Sequence, residues 1–401
     1  MGVMHKKKPT VILEKGTVED DNGKKYNLDF VGDDNDFVNI SYADEKKKVD
    51  ESIKNLFKQN TNEIHDICFI NDYSLLLVGC NNGLIYVYKR KINGKSNLKF
   101  EEITHFKPHN ESIIQILRLQ SGHILTLSSD SSCKILEIEI ETNDVLYQNE
   151  NKCDVIQKLL DEGETSNNNF AIELESGNLV ISQGMFINFY AKIENEMPLG
   201  ESLKSTNTLN PKEYYLTKKI CSNSDNIFFV QIDNKTLAAS QVSNKTLQFY
   251  NVDDYNIIAN IPNIEFNKMN YSMCLINKDT LAIGGNNGSI YLVDVKRKIL
   301  ISVSHFENCD SISCIKSVNN KTVILGCQYW NTNYDVILYE FNNEHEFNEI
   351  KRTQKVHNNI INDIKLITMD ISKNKNPFTE QYNVITLGLD YKVNLILNKD
   401  E

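Results

Sequence analysis

One pattern recurs along the chain and constrains its fold more than any single residue does. An alternating run is followed by a turn, an apolar run, a second turn and another alternating run. Two clear copies are residues 66–90, DICFINDYSLLLVGCNNGLIYVYKR, and residues 271–295, YSMCLINKDTLAIGGNNGSIYLVDV. Both place Asn-Asn-Gly between the second and third runs, and Asn-Gly between β-rich segments is a strong hairpin signal. The pattern predicts repeated units of short strands, an architecture that mostly serves to present surfaces.

The apolar second run anchors seven copies, which are spaced 42 to 61 residues apart and begin at Leu75, Ile124, Leu179, Leu237, Leu281, Val323 and Val384. The shortest spacings match the roughly 40–45 residues of a four-stranded propeller unit, and the longer ones imply inserted loops. The third run alternates in the way that marks a strand, as at 85–88, 187–190, 247–250 and 336–339. Candidate fourth strands follow, as at 257–263, 298–305 and 347–353.

This arrangement resembles the WD-repeat β-propeller family over residues 60–401. The family's Gly-His opening and Trp-Asp ending are mostly missing, and Val293-Asp294 keeps only the acidic residue. His109 and His357 precede a first strand, and Asp130 and Asp390 lie between a second and a third strand. In the family, polar groups at these places cross-link a blade. The resemblance implies that blades two and seven keep part of that network.

We therefore predict an all-β fold, a seven-bladed β-propeller of four-stranded antiparallel blades over residues 61–401, preceded by an N-terminal extension over residues 1–60. The last unit lacks a fourth strand, so an N-terminal strand is expected to close the ring, with residues 25–31 and 37–41 as candidates. Residues 43–58 carry Val49, Ile53, Leu56 and Phe57 at helical spacing. They predict a short helix, either packed on the rim of the propeller or able to detach and bind a partner.

The net charge and the cysteines limit the possible functions and cellular locations of the protein. The chain has 43 Lys and Arg against 54 Asp and Glu, a net charge of −11, which disfavours sequence-independent nucleic-acid binding. Nine cysteines without a Cys-x-x-Cys pair, several inside predicted strands, indicate buried thiols in a reducing compartment. With no signal-peptide h-region and no run of 18 apolar residues, we expect no membrane span and a cytoplasmic or nuclear location. Gly2 lies in a poor myristoylation context, because Lys6 replaces the usual Ser or Thr.

The sequence offers no catalytic constellation. The eight histidines are dispersed, and no Gly-x-Ser-x-Gly, His-Glu-x-x-His or Walker-type loop occurs. The acidic cluster Asp33-Asp34-Asn35-Asp36 lacks the loop and terminal Glu of a calcium site. His65, His109, His305 and His357 near blade entrances are interpreted as structural hydrogen-bonding residues. We predict no enzyme activity, no catalytic residue, no cofactor and no metal.

The single tryptophan marks the candidate binding site. Trp330 lies in QYWNTNY, between the second and third strands of the sixth unit, together with Tyr329 and Tyr334. Loops at this place open on the face that the family most often uses for partners, and Trp and Tyr are enriched at binding hot spots. The alternative is that these aromatic residues fold back onto their own blade. Two insertions, 193–213 and 368–381, are expected on the opposite face, as flexible loops or a second partner surface.

The leading hypothesis is a non-catalytic scaffold or adaptor subunit that binds other proteins in a complex and is monomeric by itself. One alternative is a phosphoinositide-binding propeller, but those members use an Arg-Arg pair that this chain lacks, and Lys89-Arg90-Lys91 is a poor substitute. Another is a substrate receptor of a cullin-type ubiquitin ligase. Its Trp-Asp-x-Arg element would correspond here to Val293-Asp294-Val295-Lys296, which departs at both the Trp and the Arg.

Overall fold

The computed structural model describes residues 12–13, 17–19, 25–27, 64–70, 75–93, 97–140, 152–160, 170–193, 213–222, 224, 227–266, 272–329, 333–342, 346–368, 382–388 and 393–397. These residues form β-strands joined by turns, and none of them is helical. The predicted helix at 43–58 and the candidate closing strand at 37–41 lie outside the described residues.

Six four-stranded antiparallel sheets, called blades one to six, follow one another, each with its strands paired in sequence order. Blade one contains β4 (Ile64–Ile70), β5 (Leu75–Cys80), β6 (Ile85–Asn93) and β7 (Asn97–Phe106), and blade two contains β8 (Ile113–Arg118), β9 (Ile124–Ser128), β10 (Cys133–Glu139) and β11 (Lys152–Leu160). Blade three contains β12 (Phe170–Glu173), β13 (Leu179–Gln183), β14 (Phe186–Lys192) and β15 (Tyr214–Cys221), and blade four contains β16 (Phe229–Gln231), β17 (Thr236–Gln241), β18 (Thr246–Asn251) and β19 (Ile257–Pro262). Blade five contains β20 (Met273–Asn277), β21 (Thr280–Gly284), β22 (Ser289–Asp294) and β23 (Ile299–His305), and blade six contains β24 (Cys309–Asn319), β25 (Thr322–Tyr329), β26 (Asn333–Phe341) and β27 (Phe347–His357).

The C-terminal part of the propeller differs from the prediction. Here β28 (Ile361–Thr368), β29 (Tyr382–Gly388) and β30 (Val393–Leu397) form a three-stranded sheet, called the last unit. Near the N-terminus, β3 (Lys25–Asn27) pairs with β2 (Thr17–Glu19), which pairs with β1 (Ile12–Leu13) in a separate sheet. The prediction of seven four-stranded blades is therefore wrong, since the described residues contain six such blades, none of these residues is helical, and the last unit has three strands. Lys25–Asn27 does not supply the fourth strand, because it pairs with β2 rather than with the last unit.

The first strands of successive sheets pack side by side, and the last unit returns to contact β4 of blade one. A chain of charged side chains joins the sheets at this return. Lys365 Nζ lies 3.1 Å from Asp66 Oδ1 and 3.0 Å from Asp363 Oδ2. On the other side of Asp66, the backbone N–H of Ile116 donates to Oδ2 at 2.6 Å. One buried carboxylate thus binds both the last unit and blade two.

Other neighbouring blades are joined by side chains that bind backbone groups. The amide of Gln115 on β8 pairs with both backbone groups of Ala171 on β12, accepting from its N–H and donating to its carbonyl at 2.9 Å each. The hydroxyl of Ser317 on β24 donates to the carbonyl of Ile276 on β20 at 3.1 Å. Because these bonds satisfy buried polar groups across a blade boundary, they fix neighbouring blades in one arrangement.

Glycines at the ends of second strands allow the blades to approach closely. A Cβ on Gly79 would lie 2.7 Å from Cγ2 of Ile113, the first residue of the next blade's first strand. A Cβ on Gly284 would lie at the same distance from Cγ2 of Ile312. Both distances are shorter than van der Waals contact, so only glycine fits without a shift of the neighbouring strand.

Every blade carries a β-bulge in its outermost strand, and the bulge is at the same place in each. The register shifts fall at Val87/Tyr88, Ile135/Leu136, Phe189/Tyr190, Phe249/Tyr250, Leu292/Val293 and Leu338/Tyr339 of the third strands. Four of these third strands carry a buried tyrosine at the shift. In blade five the same position is Val293, the residue that corresponds to the Trp of the Trp-Asp ending in the sequence.

The hydrogen-bond network implied for blade two is confirmed. His109 Nε2 lies 2.8 Å from Thr126 Oγ1, and Nδ1 lies 2.8 Å from Ser132 Oγ and 3.3 Å from Asp130 Oδ2. Burial by itself raises the pKa of Asp130, but hydrogen bonds from Ser132 and from the Asn110 N–H outweigh it and hold the pKa below 3.8. In the last unit, a similar contact of 2.8 Å joins His357 Nε2 to Thr386 Oγ1, while Asp390 lies outside the described residues.

Candidate protein-interaction site

The candidate site is built on the hairpin between β25 and β26 of blade six. Tyr329 ends β25 and pairs with Asn333, the first residue of β26, and Gln328 pairs with Tyr334. The hairpin loop therefore consists of residues 330–332. Trp330 belongs to this loop and lies outside the described residues.

Tyr329 is half-buried and stacks with a cation. The guanidinium carbon of Arg352, on the outermost strand β27, lies 4.9 Å from the centroid of its ring. Burial raises the pKa of the Tyr329 phenol. No residue in the described part of the chain hydrogen-bonds to the hydroxyl oxygen of Tyr329. Arg352 therefore fixes the ring of Tyr329, whose hydroxyl oxygen is buried.

Two carboxylates hold Arg352 in this position. Its Nη2 and Nε donate to the two oxygens of Glu349 at 2.7 and 3.1 Å, and its Nη1 lies 3.7 Å from Asp335 Oδ2. The hydrogen bond from Arg352 lowers the pKa of Glu349. A bidentate arginine–carboxylate pair has a defined geometry, so the guanidinium plane is held in place over Tyr329.

Asp335 is buried and shapes the backbone beside the pair. Its Oδ1 accepts from the N–H of Lys355, which has a φ of 53°. The register between β26 and β27 shifts here, between Tyr334 and Val336. Asp335 thus stabilises a bulge that brings the end of β27 alongside the hairpin.

Tyr334 occupies a different environment from Tyr329. It is 8% exposed and packs in a cluster with Cys314, Ile324, Ile361 and Ile364, between blade six and the last unit. Tyr334 therefore anchors the hairpin to the neighbouring sheet. Of the three predicted site residues, the structure places Tyr329 at a partly exposed position and Tyr334 in the core.

Sequence reasoning missed Arg352, Glu349 and Asp335. Residues 347–353 are a predicted fourth strand, and the sequence pairs Glu349 with Arg352 at a spacing of three residues. That spacing brings side chains together on a helix, but on a regular strand it places them on opposite faces. The contact forms because the bulge in β27 follows Glu349, and nothing in the sequence identifies the bulge.

A second cation–aromatic pair lies at the equivalent turn of blade three. Lys219 Nζ lies 4.2 Å from the ring centroid of Phe186, and Met185 in the adjoining turn is exposed. Both pairs thus combine an aromatic residue of the hairpin between second and third strands with a cation from the outermost strand.

The elements weighed for other functions have structural roles. Asp294 Oδ1 accepts from the N–H groups of Lys296 and Arg297, and Val293 is fully buried, so the segment that matches the ligase element forms a turn. Within the described ranges, no group of three or more His, Cys, Asp or Glu side chains is placed to hold a metal ion. The same ranges contain no helix long and apolar enough to cross a membrane.

Comparison with solved structures identifies the architecture. No protein-family model matches the sequence, and no curated protein matches it. The crystal structure of Sqt1 from Saccharomyces cerevisiae, a WD-repeat protein, superposes with a TM-score of 0.53 at 14% sequence identity over 83% of this chain and 84% of that chain. The fold is a WD-repeat-like β-propeller. At this level of identity the similarity shows the fold alone.

Proposed function

We propose that this propeller is a non-catalytic protein-interaction scaffold that binds a partner through the blade-six hairpin. The observation that carries the proposal is the stacking of Arg352 on Tyr329 beside the loop that contains Trp330. Tyr, Trp and Arg are the residue types most enriched at binding hot spots, and Tyr and Trp bury a large area with few rotatable bonds.

The side chains of the site are held in fixed positions, which supports this role. Glu349 and Asp335 fix Arg352, and Tyr334 anchors the hairpin in the core, so little side-chain freedom is left to lose when a partner binds. Side-chain ordering is one of the costs of association, and preorganised side chains reduce it. We assign Tyr329 and Trp330 as contact residues, with Tyr334 as a positioning residue.

The rest of the ring supports the proposal by supplying a rigid frame. Buried hydrogen bonds and ion pairs join neighbouring blades, including Gln115 to Ala171 and Lys365 to Asp66. A frame of this kind keeps loops on different blades at fixed separations, which is what a scaffold requires of its binding surfaces.

The test is affinity purification with quantitative mass spectrometry on the full-length protein. The Tyr329→Ala, Trp330→Ala variant is compared with the wild type and with Met185→Ala, which alters the equivalent exposed turn of blade three. We expect a reproducible set of proteins that the wild type and Met185→Ala retain and the double variant loses. Equal recovery by all three would overturn the blade-six site. The absence of any reproducible partner, together with binding to phosphoinositide vesicles in flotation, would replace the scaffold by the lipid-binding alternative.

A further inference from the structure

The outermost strands carry a repeated surface that is distinct from the blade-six hairpin. In every blade, one residue of the outermost strand pairs with the third-strand residue at the shared bulge. From blade one to blade six, these residues are Glu102, Val155, Leu216, Ile257, Leu300 and Glu349. The four central residues, which we call the apolar arc, lie on successive blades two to five. A glutamate ends the series on either side.

The arc residues are exposed although they are apolar. Val155, Leu216, Ile257 and Leu300 are 40%, 49%, 48% and 37% exposed. Strands β11, β15, β19 and β23 together carry eight of the ten large hydrophobic side chains that are exposed within the described residues. Single exposed hydrophobic residues are common on proteins, whereas a concentration on one part of a surface marks an interaction site.

Charge identifies the kind of partner. Strands β15, β19 and β23 contain no Asp or Glu, although the chain has 54 of these residues and a net charge of −11. Lys218 and Lys219 of β15 are exposed. Lys219 pairs with Asn188 and Leu216 pairs with Tyr190, and because Asn188 and Tyr190 are two residues apart, Lys219 and Leu216 share one face of blade three.

The rims of blades three and four are also joined next to the arc. The hydroxyl of Tyr255, in the turn before β19, donates to Oγ1 of Thr217 at 3.0 Å. Thr217 is the bulge residue that follows Leu216. The Tyr255 ring packs on Phe189 of blade three with its centroid 4.9 Å away. This contact fixes the relative placement of two arc positions.

The bulges in the outermost strands limit the ways in which a partner could bind. An exposed outermost strand can pair with a strand from another chain, and a bulge opposes such pairing because it interrupts the regular row of backbone groups. Each outermost strand has its bulge beside the arc residue. Recognition would therefore use side chains rather than an added strand.

From these features we infer that the apolar arc is a second docking surface, and that its occupant is a protein segment combining apolar with acidic side chains. The apolar residues of the segment would cover Leu216, Ile257 and their equivalents, and a carboxylate of the segment would pair with Lys219. Glu102, beyond the blade-two end of the arc, would repel an acidic segment and so limit where the segment can lie.

The experiment is selection of a random 12-residue peptide library on the immobilised full-length protein. Selected peptides are then measured by fluorescence anisotropy against the wild type, Leu216→Ser/Ile257→Ser, Lys219→Glu and the matched control Ile350→Ser, which alters an exposed residue of blade six outside the arc. Circular dichroism and thermal denaturation verify that each variant is folded. Sedimentation velocity at several concentrations measures self-association.

We expect the selected peptides to be acidic and apolar, and to bind the wild type and Ile350→Ser equally. Each arc variant should weaken binding about tenfold or more, and added salt should weaken it further. Selection of basic peptides, or of peptides whose affinity neither arc variant changes, would overturn the inference. Concentration-dependent dimers that Leu216→Ser/Ile257→Ser abolishes would also overturn it, because the occupant would then be a second copy of the chain.

Discussion

Lys365 Nζ lies 3.1 Å from Oδ1 of Asp66 and thereby joins the last unit of the propeller to the first blade. Burial raises the pKa of the Asp66 carboxyl, the nearby Lys365 opposes the rise, and Asp363 adds to it. The cation therefore favours the ionised form of this buried carboxylate, at the contact between the last unit and blade one. Asp66 also accepts the Ile116 N–H, so the pair influences blade two as well.

We predict that Lys365→Met lowers the free energy of unfolding by about 3 kcal/mol at neutral pH, because removal of one partner leaves a buried charge uncompensated. Urea denaturation of the full-length protein measures the change. Lys321→Met, which alters an exposed lysine in a turn of blade six, is the control and should leave the stability nearly unchanged.

The same variant should respond to pH in a defined direction. Without Lys365, the pKa of Asp66 in the folded state lies further above its ordinary value of 3.8. A raised folded-state pKa costs stability as pH rises through it, so acidification toward about pH 4 should recover part of the loss. If Lys365→Met lowers the free energy of unfolding equally at neutral pH and near pH 4, loss of the ion pair is not the cause.

Asp130 should show the opposite dependence, because its folded-state pKa is lowered. Its ionised form stabilises the protein above pH 3.8, and this contribution is lost as pH falls through the folded-state pKa. We expect Asp130→Asn to cost about 1–2 kcal/mol at neutral pH and to converge on the wild type in acid. Denaturation curves across pH test this, with the exposed turn residue Asp253→Asn as the control.

Gly284 should tolerate no side chain. A Cβ there would lie 2.7 Å from Cγ2 of Ile312 and 2.9 Å from its carbonyl oxygen. Gly284→Ala should lower stability by about 1–3 kcal/mol through overpacking, and Gly284→Val should lower it more. Thermal denaturation ranks the variants. Unchanged melting temperatures would mean that blades five and six can separate without cost.

Thiol reactivity should distinguish one cysteine from the other eight. None of the nine is in a disulfide bond, and Cys221 is the exposed one. Burial raises the pKa of Cys80, Cys153 and Cys274 to about 12, which leaves little thiolate at mild pH. Iodoacetamide at about pH 8 should therefore label Cys221 first in the native protein. Peptide mass spectrometry identifies the site, and Cys221→Ser should abolish the fast labelling.

The local turn chemistry could be predicted from the sequence, though not in every detail. Asn287 and Gly288 both have positive φ values, 58° and 62°, as a type I′ hairpin turn requires. In blade one, Gly83 has a φ of 78°, but Asn82 is not among the residues with positive φ. The same tripeptide thus marks a hairpin in both blades while the backbone differs. A turn signal locates the reversal of the chain, and strand pairing selects its conformation.

The candidate site was predictable only in part. The aromatic residues of the blade-six hairpin are visible in the sequence, but their burial is not: Tyr334 belongs to the core, and Tyr329 is stacked on Arg352. The apolar arc could not be identified from the sequence either, because its members are isolated hydrophobic residues within four different strands. They become equivalent only through the bulges, which are set by how each outermost strand fits its neighbour.

The strands, the repeat and the second-to-third-strand hairpins can be predicted from the sequence alone, since they depend on alternation and turn residues that act over a few positions. The number of strands in the last unit, the partner of β3 and the contact between Lys365 and Asp66, which are far apart in the sequence, become visible only in the folded structure. These features depend on competition between distant segments for the same hydrogen bonds and charges. That competition is settled only when the sheets pack against one another.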